Sequence, residues 1–106
     1  MTEQEFRHAV DRAFDDTLRA LLPLAEREGF DIDRGAAVLR IEFDQPVTTS
    51  FVVNAHGPAR QIWVSAMGRA HRLTWDADAA AFTLDGETLP ALVERLTRVF
   101  LRGPMR

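Results

Sequence analysis

The chain has 106 residues, 46% of them apolar, and this size and composition fit one soluble globular domain. It contains no cysteine, which excludes disulfides, thiolate zinc sites, a cysteine nucleophile and a cysteine-held iron–sulfur cluster. No apolar run approaches the roughly 20 residues of a membrane span, and no secretory signal is visible, so we expect a cytoplasmic protein.

Charge is distributed unevenly along the chain. Residues 1–44 carry eleven acids and six arginines, whereas residues 45–75 carry three arginines and no acid. An acidic N-terminal third suits cations or a basic protein partner, although acids that merely solvate a helix face give the same pattern. The arginines are scattered and do not form the basic cluster that nucleic acid binding requires, so no nucleic acid partner is expected.

The first element is predicted to be a long amphipathic helix. Apolar residues recur at steps of three and four over residues 6–24. Thr2 and Glu5 have the spacing of a capping box, and we expect the helix to stop at Gly29. Pro23 falls inside the pattern, so the last turns are expected to be kinked or to form a separate turn.

After Gly35 the hydrophobic period changes to two, which predicts antiparallel strands with one buried face. In the first of these strands Leu39, Ile41 and Phe43 alternate with charged residues. We predict strands over residues 39–43, 49–54, 60–66 and 70–76, and a short one around Phe82 and Leu84 before an Asp85-Gly86 turn.

A second amphipathic helix is predicted from Leu89 to Phe100, with Thr88 as its cap and Pro90 in its first turn. Two helices with one apolar stripe each can cover one face of a sheet and leave the other face in water. The predicted fold class is therefore α+β, an antiparallel five- to six-stranded sheet with N- and C-terminal helices packed on one face. We expect a single domain over residues 1–106.

The side chains on the uncovered sheet face follow from strand parity, and most of them are polar. They are Arg40, Glu42, Ser50, Val52, Asn54, Gln61, Trp63, Ser65, Arg72 and Thr74. Trp63 is the exception, and a tryptophan on a polar face is a candidate binding anchor. A slip of one residue would bury Trp63 but would also expose Ile62 and Val64, so we favour the outward orientation.

One run of residues, Asn54-Ala55-His56-Gly57-Pro58-Ala59-Arg60-Gln61-Ile62-Trp63-Val64-Ser65, resembles the signature of the frataxin family, and of bacterial frataxins in particular. In that family an Asn ends one strand, a short turn follows, and Gln-(Ile/Val)-Trp opens the next strand. Four other places resemble the family in the same order: Glu5-Phe6, residues 38–43, Leu73-Thr74-Trp75-Asp76 and Gly86-Glu87-Thr88-Leu89. The ordered set is more specific than any of its members.

The resemblance implies a frataxin-like αβ sandwich and a role in iron–sulfur cluster assembly. Frataxins bind iron weakly, as Fe²⁺ or Fe³⁺, through an acidic ridge on the first helix and first strand. They dock on cysteine desulfurase and the iron–sulfur scaffold machinery and tune cluster formation. By this resemblance we expect an iron-binding regulatory adaptor that is not an enzyme. It is expected to be a monomer, with an iron-dependent oligomer as the alternative, and to have no membrane partner.

Hard carboxylate oxygens, with imidazole acceptable, are suitable ligands for loosely bound iron. The candidate iron ligands are His8, Asp11, Asp15, Asp16, Asp31 and Asp33. The ridge is thinned, however, because Leu21-Leu22-Pro23-Leu24 stands where bacterial frataxins usually carry aspartates. Arg12 and Arg19 share the helix face of these acids, and Asp15–Arg19 and Glu3–Arg7 are predicted ion pairs. A plain solvated helix face is an equal alternative.

Partner binding is predicted to centre on the outward sheet face. The candidate partner-binding residues are Asn54, Gln61, Trp63, Arg60, Glu42 and Asp44. Asn54, Gln61 and Trp63 would anchor the partner. Glu42 and Asp44 end the acidic run, and Arg60 would meet an acidic partner or merely keep the turn soluble.

Two functions of other classes compete with this interpretation. For an enzyme, Ser50 and Ser65 lack a nucleophile-elbow context, and His71 with Asp76 lacks a third partner. For an RNA-binding sheet, Trp63 beside arginines could stack a base, but one aromatic residue and a net charge of −3 weigh against it. The alternative is thus a divergent, non-catalytic protein- or RNA-binding sheet module without iron binding.

Overall fold

The structure is a computed structural model that describes residues 1–103, so residues 104–106 of the predicted domain lie outside the described residues. The elements in chain order are α1 Glu3–Glu28, β1 Asp31–Arg34, β2 Val38–Phe43, β3 Thr49–His56, β4 Gln61–Ala66, β5 Arg69–Asp76, β6 Ala81–Leu84, β7 Glu87–Thr88 and α2 Leu89–Leu101. The strands form one antiparallel sheet whose spatial order is their order in the chain. Within the described residues no helix is long and apolar enough to cross a membrane.

The predicted α+β class and the packing of two helices on one sheet face are confirmed, but the described sheet has seven strands instead of five or six. The two additional strands, β1 and β7, show no hydrophobic alternation from which they could be predicted. β1 has the sequence Asp-Ile-Asp-Arg with a single apolar residue, and β7 has only two residues. Backbone pairing joins these strands to β2 and β6.

The ends of α1 follow from its local sequence. Thr2 and Glu5 form the predicted capping box, which satisfies two backbone N–H groups at the helix start. Gly29 ends the helix with φ = 81°, a left-handed conformation that glycine adopts without a steric penalty. The predicted separate turn after Pro23 is wrong, because α1 continues through this residue to Glu28. Pro23 is exposed, so water can solvate the carbonyl that loses its helical donor.

The core lies between the helices and the inner face of the sheet. Its largest fully buried side chains are Phe14, Phe43, Phe51, Phe82, Leu21, Leu39, Ile41, Ile62, Leu73, Leu89, Leu92 and Val53. Aromatic contacts join the layers: the ring of Phe100 in α2 lies 4.6 Å from that of Phe43, and Phe6 in α1 meets Phe82 at 5.7 Å. Full burial of one large apolar side chain stabilises the fold by roughly 1.5–3 kcal/mol.

Strand parity agrees with the sequence prediction. Ile62 and Val64 are fully buried, whereas Trp63 between them is only partly buried and lies on the opposite face. A one-residue slip is therefore excluded. The residues predicted to face outward are all exposed or partly buried.

An ion pair connects β7 to the middle of α2. Arg95 donates from Nε and Nη2 to the two carboxylate oxygens of Glu87, each at 2.9 Å. These hydrogen bonds lower the pKa of Glu87 from its ordinary value of 4.5. The native state thus binds a proton at Glu87 more weakly than the unfolded chain does. The contribution of this pair to stability is present above pH 4.5 and is lost as the pH falls through the lowered pKa.

Replacing Glu87 with Gln tests this ion pair. Near neutral pH the variant should unfold at a lower urea concentration than the parent chain, because a charge-assisted bidentate contact is lost. The two midpoints should converge as the pH falls through the lowered pKa of Glu87, since protonation removes the charge of the carboxylate. A difference in urea midpoint that stays constant over this range would contradict the assignment.

One buried hydroxyl in α2 lacks a hydrogen-bond partner within the described part of the chain. Thr97 is fully buried, and its Oγ1 has no partner among residues 1–103. Thr17 in α1 is equally buried, but its hydroxyl donates to the carbonyl of Ala13 at 2.7 Å. The two threonines therefore differ in hydrogen bonding and not in burial.

Thr97→Val should raise the free energy of unfolding by about 1 kcal/mol, because an unpaired buried hydroxyl is replaced by a methyl group of similar volume. Thr17→Val is the matched control and should be neutral or destabilising, because it removes a hydrogen bond. Urea unfolding of both variants measures the difference. Equal effects of the two substitutions would show that the Thr97 hydroxyl is satisfied in solution.

Candidate functional site

The centre of the uncovered sheet face is occupied by the indole of Trp63 in β4. The imidazole of His56, from β3, stacks on it with ring centroids 3.9 Å apart and planes 11° from parallel. The guanidinium of Arg72, from β5, lies 4.8 Å from the indole centroid. Trp63 pairs with Asn54 on one side and with Arg72 on the other, so the two flanking groups reach the ring from opposite strands. The indole is thus held between an imidazole and a guanidinium.

Its polar edge is fixed as well. Trp63 Nε1 donates to Gln61 Oε1 at 2.7 Å, so two side chains of the same strand hold one another in place. Asn54, directly across from Trp63, is exposed beside this pair. The structure therefore brings together three of the predicted partner-binding residues, Asn54, Gln61 and Trp63.

The other three predicted partner-binding residues lie away from this centre. Arg60 has φ = 53°, and its guanidinium lies 5.6 Å from the ring of Phe6 in α1, which places it on the helix side of the sheet. Glu42 is on the uncovered face but in β2, with β3 between it and Trp63. Asp44 is exposed just beyond the end of β2.

Two of the candidate iron ligands are bound by an arginine of this chain. Arg34 Nη2 lies 3.3 Å from Asp11 Oδ1 and 3.1 Å from Asp15 Oδ1. The predicted Asp15–Arg19 pair is wrong, because Arg19 pairs with Asp16, three residues before it. The predicted Glu3–Arg7 pair is confirmed, at 3.3 Å.

The remaining candidate iron ligands are dispersed. His8 and Asp16 line a groove of about 510 Å³ between the start of α1, β6 and the start of α2, where Trp75 and Phe82 form an apolar wall. Asp31 and Asp33 are exposed in β1, opposite Glu42 and Arg40 of β2, and so share the uncovered sheet face. Among the described residues no three His, Asp or Glu side chains come close enough to hold a metal ion together. The six candidates do not form a single site.

Sequence reasoning missed the roles of His56 and Arg34. The predicted strand ends at residue 54 and so leaves out His56, which is the last residue of β3 and is partly buried against Trp63. The sequence did contain a signal, because His56 lies two residues after Asn54 and so faces the same side of a strand that extends this far. Arg34 shares its parity in β1 with Ile32, which packs against the core, and therefore reaches toward α1. This orientation of Arg34 can be predicted only after residues 31–34 have been recognised as a strand. Arg72 was predicted on the correct face without its contact to the indole.

Comparisons with known proteins show the family and the fold of this chain. The family model of the frataxin-like domain matches residues 1–102. A solved frataxin from Psychromonas ingrahamii, described as a model for stability modulation within the CyaY protein family, is similar in fold. It has a TM-score of 0.70 at 19% sequence identity, and the similarity covers 97% of this chain and 92% of that one. No curated protein matches the chain significantly.

The chain belongs to the frataxin family. The family match supports a role related to iron–sulfur cluster assembly. Members of this family are generally non-catalytic regulators. The sequence-based family assignment is thereby confirmed.

Proposed function

We propose that this protein is a non-catalytic regulatory adaptor that docks on cysteine desulfurase through the uncovered sheet face and modulates cluster formation. The observation that carries the proposal is the fixed, partly exposed indole of Trp63 at the centre of that face. Tryptophan is enriched among binding hot spots, which cluster near the centre of an interface.

The contacts that Trp63 makes within the chain favour docking in a second way. Binding costs conformational entropy whenever an interface side chain must be ordered. Here the stack on His56, the hydrogen bond to Gln61 and the guanidinium of Arg72 already order the indole in the free protein. A partner that covers this face therefore meets a preformed anchor. Exposed Asn54 supplies hydrogen-bonding groups at its edge.

The same contacts weigh against the RNA-binding alternative. A nucleobase needs an open face of an aromatic ring on which to stack. The indole of Trp63 is covered by the imidazole of His56 and the guanidinium of Arg72, so a base would have to displace one of them. A protein partner can contact the partly exposed side chain of Trp63 without displacing either group.

Iron is a second element of the proposal, as a weakly bound cargo and not as a resident cofactor. Exposed carboxylates at the β1–β2 end of the uncovered face support it: Asp31, Asp33, Glu42 and Asp44. Asp31 and Glu42 are directly opposite one another across the two strands. Two like charges in such a position are mutually unfavourable, and a cation relieves the repulsion. Dispersed surface carboxylates hold a cation loosely, which fits reversible delivery to an assembly partner.

Trp63→Ala should weaken binding to cysteine desulfurase by at least about 2 kcal/mol, roughly thirtyfold in Kd, because the central anchor is removed. Isothermal titration calorimetry measures the affinity, and amide NMR checks that the variant is folded. Leu22→Ala is the matched control, since Leu22 is an exposed apolar residue of α1 on the helix side. Unchanged affinity of folded Trp63→Ala, or equal losses in both variants, would overturn the docking surface.

The double variant Asp31→Asn/Glu42→Gln should weaken ferrous iron or cobalt binding by about tenfold, since two facing carboxylates lose their charge. Metal titration followed by amide NMR locates the binding in β1 and β2. Asp85→Asn/Glu94→Gln changes the net charge equally, but these residues lie in the β6–β7 turn and in α2. If the control weakens binding as much, the metal responds to total charge and has no preferred position.

A further inference from the structure

We propose that Arg34 is a tethered counter-ion that occupies a cation position between Asp11 and Asp15, so that these carboxylates accept a free cation only when the arginine leaves. The inference deepens the proposed function, because it rests on the proposed attraction of cations to the acidic N-terminal third. It does not depend on docking through Trp63, which lies on the other side of the sheet.

The first support is the number of contacts that hold one guanidinium. Nη2 of Arg34 contacts carboxylate oxygens of both aspartates, and Nε donates to Asp15 Oδ1 at 3.3 Å. Nη2 also lies 3.2 Å from the main-chain carbonyl of Asp11, and Nη1 donates to the carbonyl of Gly35 at 2.7 Å. All three guanidinium nitrogens are therefore engaged, as in a built binding site and unlike a loose surface pair.

The second support is the difference in exposure between the partners. The Arg34 side chain is only 21% exposed, whereas those of Asp11 and Asp15 are 58% and 54% exposed. The guanidinium carbon lies 5.4 Å from the centroid of the Phe14 ring, at the edge of the core. The positive charge thus lies beneath the carboxylates, between α1 and β1, where screening by water is weaker than at the surface.

Strand parity explains why this arginine reaches the helix. In β1, Asp31 and Asp33 pair with Glu42 and Arg40 and face the uncovered side. Ile32 and Arg34 face the opposite way, toward α1. Asp11 and Asp15 are four residues apart in α1 and so project from the same side of that helix. The three charges meet because the edge strand runs along the helix.

The consequence concerns electrostatic competition. With Arg34 in place the three groups carry a net charge of −1, and without its charge the two carboxylates carry −2. A divalent cation must therefore displace a covalently attached competitor that is already desolvated and hydrogen-bonded. The helix carboxylates are closed to weakly held cations, and the exposed acids of β1 and β2 are left as the more accessible positions.

Arg34→Met tests this assignment, because it keeps an unbranched apolar stem over Phe14 and removes the charge. The probe is Mn²⁺ alone, and the readout is paramagnetic broadening of amide NMR signals. We expect the amides of Asp11 and Asp15 to broaden at an Mn²⁺ concentration about tenfold lower than in the parent chain, because one opposing charge within hydrogen-bonding distance is lost. Arg69→Met is the matched control for net charge, since Arg69 is an exposed residue of β5. It should leave these amides unchanged.

Equal broadening of these amides in the parent chain and in folded Arg34→Met would overturn the proposal, and so would an Arg69→Met effect of the same size.

A second measurement, on the parent chain, does not depend on the folding of the variant. The Nε–H signal of Arg34 should exchange with water at least about tenfold more slowly than that of exposed Arg12, because it is hydrogen-bonded. Asp15→Ala should reduce the difference, because it removes the oxygen that accepts from Nε. An Arg34 signal that exchanges as fast as that of Arg12 would also overturn the proposal. Desulfurase affinity should be the same in Arg34→Met and the parent chain, so a failure of docking and a failure of this inference are separate results.

Discussion

The burial of one face of the sheet beneath two helices is the constraint on which the rest of the structure depends. Side chains alternate between the two faces of a strand, so burying Ile62 and Val64 requires the opposite orientation for Trp63. The same alternation turns Arg34 toward α1 and Asp31 and Asp33 away from it. Both candidate surfaces, one on each side of the sheet, are consequences of this single division between covered and uncovered faces.

Strand parity also explains why so much of the sheet surface could be predicted. A period of two allows only two orientations, and the wrong one would expose several apolar residues at once. One observation, the burial of Ile62 and Val64, therefore fixes Gln61 and Trp63 together, and pairing with β3 adds Asn54. Helix ends were predictable for a similar reason, since caps such as Thr2 and Gly29 are decided by residues only a few positions apart.

Contacts between distant segments were not predictable in this way. Asp15 has Arg19 four residues away, a spacing that favours an ion pair, yet it pairs with Arg34, nineteen residues away. The Asp15–Arg34 pair depends on the position of β1, and the sequence of this strand shows almost no hydrophobic alternation. The fold resemblance carried the expectation of an acidic ridge, but a family pattern does not report an arginine that this chain places among the acids. Side-chain contacts between different elements can be predicted only when the register of the sheet is known.

The two aspartates of β1 have an additional consequence for self-association. β1 is the outermost strand on its side of the described sheet and pairs with β2 alone. An unpaired strand edge can recruit the same edge of a second copy into a continuous sheet, which is a common start of aggregation. If the β1 strands of two copies paired in the antiparallel direction, Asp31 and Asp33 of one copy would lie close to Asp31 and Asp33 of the other. The repulsion between four carboxylates makes this edge a poor template for growth, so the acids also help to keep copies of the chain apart.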